Sequence, residues 1–222
     1  RFSQGSFDLD MPDGKILVDE DGRADRIESV EYDISHQLIE EFMLAANEVV
    51  ARSLRDGDVP ALYRVHDAPD PDKLNELSEQ LSASGIQSGD LSVRKNMVSV
   101  LQKLKDHPQG YSLKIQVLRS MKQACYRASP DGHYGLYKSN YTHFTSPIRR
   151  FSDLVVHQQM DRFLRKNGHV TAPAKIMTRH SAKSLATLGE HLSITERNSQ
   201  DAERESVKTK LLEYFEREVK KS

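Results

Sequence analysis

Only one cysteine, Cys125, stands among the 222 residues, so no internal disulfide can form. That usage points to a reducing, cytoplasmic setting. No stretch approaches the roughly 20 consecutive apolar residues of a transmembrane helix, so no membrane role is expected. The opening residues, RFSQGSFDLD, lack the pattern of a secretory leader. Charge of either sign is not in excess, with a formal net charge of -1. This counts against a protein that coats nucleic acid through overall positive charge, but leaves local basic sites open. There is no internal repeat and no low-complexity tract. An initiating Met is also missing, and a charged run from Glu216 to Lys221 closes the sequence. These ends lead us to expect a piece of a longer polypeptide.

What is present is the balance of a globular protein: 29% charged and 37% hydrophobic residues. The length fits one large domain or two small ones with a real core. Residues 6 to 32 read as strands in a small antiparallel β-meander. Phe7, Leu9 and Met11 alternate with polar residues, Ile16 and Val18 follow a Pro-Asp-Gly turn at 12 to 14, and Asp21-Gly22 marks a second turn. From Ser35 to about Leu54 the apolar spacing becomes that of a helix with a wide face, ended by Asp56-Gly57. A short strand is expected over Ala61 to Val65, and a helix opened by Pro69 and Pro71 and running to about Ser84. Two more helices are expected near 92 to 106 and 111 to 126, with a possible strand at His133 to Tyr137. A long helix should start at Pro147. Asn167 to Pro173 is the best linker, followed by charged helices over 173 to 222. The fold class is therefore α+β, mostly helical, with a core over 33 to 168.

Chemistry concentrates in Tyr141-Thr-His-Phe-Thr-Ser-Pro-Ile-Arg-Arg-Phe-Ser-Asp153. Ser146 followed by Pro147 predicts a helix start, because Ser caps free N–H groups and Pro suits the first helical position. Arg149 and Arg150 then fall in the first turn, where the helix already carries partial positive charge and acidic residues would be the structural choice. Two arginines with free N–H groups make a concentrated anion site, and the planar guanidinium suits phosphate oxygens. Alternatively, both arginines pair with carboxylates or are solvated. Asp153, four positions after Arg149, is placed to orient it. His36, Glu40 and Asn47 share one side of their helix, where a carboxylate can accept a ribose hydroxyl or simply form part of an exposed polar stripe. Lys103, Lys105, Arg119, Lys122 and Arg127 either line a basic channel or are paired and solvated.

His143 to Leu154 resembles the signature of the ribonuclease II/ribonuclease R (RNB) family. Other stretches agree in order: Ser35 to Asn47, Pro60 to His66, Leu118 to Ala124, Gly132 to Leu136, Glu196-Arg197 and Ala202 to Arg204. The resemblance covers nearly the whole chain, is closest to the bacterial ribonuclease R branch, and implies the C-terminal part of an RNB-type catalytic domain. It further implies processive 3′-to-5′ hydrolysis of single-stranded RNA to nucleoside 5′-monophosphates in the intact enzyme. By this resemblance Arg149 is the catalytic arginine, Glu40 helps hold the terminal nucleotide and Glu203 lies near the RNA path. Tyr141, His143, Ser146 and Arg150 are candidate backbone or ribose contacts.

The family binds Mg2+ through closely spaced aspartates, because a hard cation needs several oxygen ligands. That cluster lies upstream of the matched region, and no metal ligands are expected in this chain. Asp8, Asp10 and Asp13 are spaced suggestively but sit in an expected strand and turn. The partners implied are single-stranded RNA and the remainder of the parent polypeptide, with its metal-binding segment and RNA-binding domains. Two alternatives remain: a non-catalytic RNA-binding or regulatory relative, and a helical protein-interaction module. The second would use Ile194, Val207, Leu211, Leu212, Phe215 and Val219, which packing on the domain's own core explains more simply.

Overall fold

The computed structural model describes residues 5–7, 14–29, 33–171 and 180–221. Strands β1 (Gly14–Val18) and β2 (Ala24–Ser29) form an antiparallel hairpin, with Ile16 opposite Ile27. Asp19 closes its turn: its carboxylate accepts from Asp21 N and Arg23 N, and Gly22 takes the left-handed backbone the turn requires. Leu9, Met11 and the Pro12-Asp13 step of the expected meander lie outside the described residues, as do Asp8 and Asp10.

Helix α1 (Ile34–Asp56) starts because Asp33 accepts from Ser35 N and His36 N, and ends at Gly57 as the sequence indicated. Its last turns bury Val50, Ala51 and Leu54. These pack with Leu62 and Val65 around β3 (Tyr63–Val65), with Val155 and Val156 of α5 (Phe151–Lys166), and with Leu185 of α6 (Ala182–Lys221). A second core joins α2 (Pro71–Ala83), α3 (Arg94–Lys103) and α4 (Gly110–Ser120) through Leu77, Leu81, Met97, Val100 and Val117. Phe7 reaches into that core. Helices bearing two small antiparallel sheets give the expected α+β class.

Four local expectations need correction. The helix expected over 111 to 126 stops at Ser120, and Cys125–Arg127 form β4, paired antiparallel with β3. The other expected helix is confined to α3. His133 to Tyr137 is a turn held by isolated bridges from His133 to His66 and Lys138, with Tyr137 at positive φ. The helix expected at Pro147 begins only at Phe151. The C-terminal helix is continuous from Ala182, but its apolar stripe is not buried in the domain's own core: Val207, Leu212, Phe215 and Val219 are exposed.

The first turns of α6 lie tight against β4. Ser193 Oγ accepts from Tyr126 N at 2.8 Å and donates to Gly189 O at 2.7 Å. A Cβ on Gly189 would stand 2.7 Å from the Tyr126 carbonyl oxygen. Gly189→Ala should therefore lose more by forcing helix and strand apart than the ~1 kcal/mol it gains in helix propensity. The expected result is a net destabilisation of about 1–3 kcal/mol. It would be seen as a lower urea midpoint at unchanged slope, and a rise in the midpoint would contradict the close approach.

Candidate functional site

The segment from Asn140 to Arg150 has no regular structure of its own, so its position comes from its neighbours. Asn47 of α1, a buried polar residue, brackets it. Its Nδ2 donates to Tyr141 OH at 3.0 Å and its Oδ1 accepts from Phe144 N at 3.0 Å. On the β3 side, Arg64 N donates to Tyr141 O and Thr142 Oγ1 donates to Leu62 O. On the α5 side, His157 stacks on Phe144 with ring centroids 4.0 Å apart and donates from Nε2 to its carbonyl oxygen.

Asp153, fully buried, closes the loop that follows. Its Oδ1 accepts from Ser146 N and from Arg150 Nη2, both at 2.8 Å. This corrects two expectations. Ser146 does not cap α5 with its side chain; Arg150 occupies the N-cap position, and Pro147 to Arg149 form a separate turn. Asp153 orients Arg150, three residues away, and not Arg149. A buried carboxylate draws the nearest guanidinium and an orphan N–H together, outweighing the local preference for Ser at a cap.

Arg149 is left exposed, with no ion pair among the described residues. Beside it Ile148 is fully exposed and Phe151 is half-exposed. Glu40 lines a shallow cavity on α1 with Ser35, His36, Ile39 and Met43. Two helical turns separate it from Asn47, so the two share a face about 10 Å apart. Glu203 is exposed on α6, seven residues beyond Glu196, which pairs with Arg64. Of the basic residues considered for a channel, Lys103 donates to Gln87 O, Lys122 pairs with Asp70, and Arg127 grips Asp67 with both Nη atoms. These three serve the fold.

The RNB domain model matches residues 1–166 of this chain. The chain belongs to the RNB family. It is 39% identical over 215 residues to ribonuclease R of Thermotoga maritima, covering 96% of this chain and 30% of that protein. It is 38% identical to ribonuclease R 1 of Lactococcus lactis, covering 99% of this chain and 27% of that one. Among solved structures, the apo form of Mycoplasma genitalium RNase R superposes with a TM-score of 0.81 at 28% identity, over 95% of this chain and 33% of that one. The same protein has been solved in complex with ribose-methylated single-stranded RNA. This chain thus spans a third or less of the length of these relatives.

Four residues that meet the motif or lie within it were not singled out from sequence: Tyr126, Ser152, Arg64 and His133. The rings of His66, His133, Tyr141, His143 and Tyr126 form an edge-to-face series with successive centroids 5.0, 5.4, 6.0 and 5.7 Å apart. Only the clustering of His and Tyr around the motif signals this in sequence. No group of three or more His, Cys, Asp or Glu among the described residues is placed to hold a metal ion. The described residues therefore do not fit a magnesium ion.

Burial pushes His133 down to about 3 and His143 down to about 2, the latter helped by the Arg150 and Arg64 cations. Burial also lowers His66. Each is neutral in the fold, and His66 and His133 use Nδ1 to accept the backbone N–H of Gly135 and Leu136. Their folded-state pKa values lie below the unfolded value of about 6.5. Their contribution is complete above that value and is lost as pH falls below it. Between pH 7.5 and 5, His133 and His143 together should cost about 2–4 kcal/mol of unfolding free energy. Urea midpoints across this range check it; a flat profile would contradict neutral burial.

Proposed function

We propose that this chain is the arginine-bearing part of a processive hydrolytic 3′-to-5′ exoribonuclease that degrades single-stranded RNA to nucleoside 5′-monophosphates. The observation that carries the reading is the motif loop. Asn47, β3 and Asp153 hold it from three sides, and it leaves Arg149 exposed and unpaired among the described residues while Arg150 is committed to Asp153. A guanidinium without a protein anion, on an anchored loop, suits a phosphoryl group on which charge develops. The RNA-bound structures of the Mycoplasma relative support the same reading.

In this proposal Arg149 stabilises the scissile phosphate and Glu40 accepts a ribose hydroxyl of the terminal nucleotide. Tyr141, His143, Ser146 and Arg150 line the RNA path, and Glu203 lies further along it. The metal is Mg2+, held by another part of the parent polypeptide, and the enzyme works in the cytoplasm. Another part of the parent polypeptide covers the exposed apolar residues Ile34, Leu38 and Phe42, which recur every four residues along one side of α1.

A labelled oligoribonucleotide incubated with the purified chain and magnesium tests the division of labour. No nucleoside monophosphate release is expected, because the described residues offer no oxygen cage for the ion. Release at enzyme-like rates from a nuclease-free preparation would contradict it.

A further inference from the structure

A largely buried hydrogen-bonded chain runs through the motif. Tyr126 OH lies 2.8 Å from His143 Nδ1 and 3.1 Å from Ser152 Oγ. Ser152 Oγ is also 3.1 Å from Asp153 Oδ2, whose other oxygen holds Ser146 N and Arg150. A phenol has one proton. Ser152 gives its own single proton to the Asp153 carboxylate, and of the phenol's two neighbours the nearer and more basic, His143 Nδ1, takes the phenol proton, leaving the ring proton on Nε2. His143 Nε2 has no partner among the described residues and is not one of the sealed, unpartnered atoms.

The surroundings favour one form of the ring. Arg150, Arg64 and Arg149 are the cations that act on it, with His133 among its neighbours and Tyr141 edge-on at 6.0 Å. Each cation opposes a second proton on the imidazole. Burial keeps both Tyr126 and Tyr141 in the phenol form, so neither becomes an anion that would draw that proton in. Tyr126 is itself fixed: Arg64 lies over its ring at 4.7 Å and its N–H is bound by Ser193 of α6.

We infer that Tyr126 is a positioning residue that holds His143 as a neutral imidazole in its Nε2–H tautomer, aimed as a hydrogen-bond donor at an oxygen of the RNA backbone. The identity of the acceptor rests on the ribonuclease reading; the tautomer does not. A neutral donor suits this place, because a cation there would compete with Arg149 for the same phosphate charge, while a deprotonated Nε2 would repel it. The link also ties α6, through Ser193 and Tyr126, to the group that meets the substrate.

The first arm of the test is an imidazole 15N–1H correlation spectrum of this chain without RNA, from pH 8 to 5.5. A single neutral Nε2–H form of His143 is expected throughout. A protonated ring at pH 6, or an Nδ1–H form, would overturn the inference whether or not the enzyme cleaves RNA. In Tyr126→Phe the resonance should split toward both tautomers. The second arm uses the full-length enzyme carrying this segment. Tyr126→Phe should slow single-turnover cleavage on the order of tenfold, as loss of an outer-shell partner does, with RNA affinity changed less than twofold. In a His143→Gln background the same change should add nothing, since Tyr126 acts through His143. Additive slowing would overturn the inference. If Tyr126→Phe does not fold, the wild-type spectrum alone decides. Unchanged cleavage in Arg149→Ala would sink the ribonuclease site reading while leaving the tautomer standing.

Discussion

Asp153→Ala is expected to remove about 3–5 kcal/mol of folding free energy, the range for breaking a buried ion pair by deleting one partner. A typical domain has only about 5–15 kcal/mol in hand. The carboxylate is fully buried and serves three donors: Ser146 N, Arg150 Nη2 and Ser152 Oγ. Its loss strands a guanidinium that is only 20% exposed and already has an unpartnered Nε. Asp153→Asn keeps an acceptor oxygen but weakens a charge-assisted bond, so its cost should be smaller, about 1–3 kcal/mol. Urea denaturation of both variants decides this. Midpoints within 1 kcal/mol of wild type for Asp153→Ala would mean that the carboxylate does not anchor the loop.

How legible the molecule was depended on how local each feature is. Helix α1 was readable to within two residues at each end, because its cap, its apolar period and its terminating Gly57 all lie in the segment itself. Strand β4 was not, because it is three residues long and its partner β3 lies some sixty positions earlier. The helix start after Ser146 was misplaced for the same reason: Asp153 reaches back seven residues to take the Ser146 N–H. The wide apolar face of α1 did not say which of its turns are covered. Only the turns from Asn47 onward are buried, and Ile34, Leu38 and Phe42 remain exposed.

The site divides the same way. That candidate site residues concentrate from His143 to Asp153 was evident from the residue types and the family resemblance. Which arginine has a protein partner was not, since Arg149 and Arg150 are adjacent and Asp153 lies within helical reach of both. Asn47 stood in the polar stripe with His36 and Glu40, but nothing in the spacing said that it alone is buried against Tyr141 and Phe144. Tyr126 carries no local signal, because its partners His143, Ser152 and Ser193 are distant in sequence.

Arg149→Ala in the full-length enzyme should reduce turnover by about 10³-fold or more, the effect of removing an arginine from a phosphoryl-transfer site. RNA affinity should fall far less, because binding is spread over many phosphate contacts and one lost contact removes little of it. Arg149→Lys should not restore full activity, since a point charge cannot reproduce the planar, two-pronged contact. Arg150 is the internal control. Its guanidinium is held by Asp153, so Arg150→Ala should lose stability or affinity before it loses chemistry. The decisive measurement is single-turnover cleavage alongside equilibrium binding, on one oligoribonucleotide, for Arg149→Ala, Arg149→Lys and Arg150→Ala. Cleavage abolished in Arg149→Ala with binding nearly intact is the predicted result. Binding weakened as much as cleavage in that variant, or a larger loss of cleavage in Arg150→Ala, would contradict the assignment of Arg149.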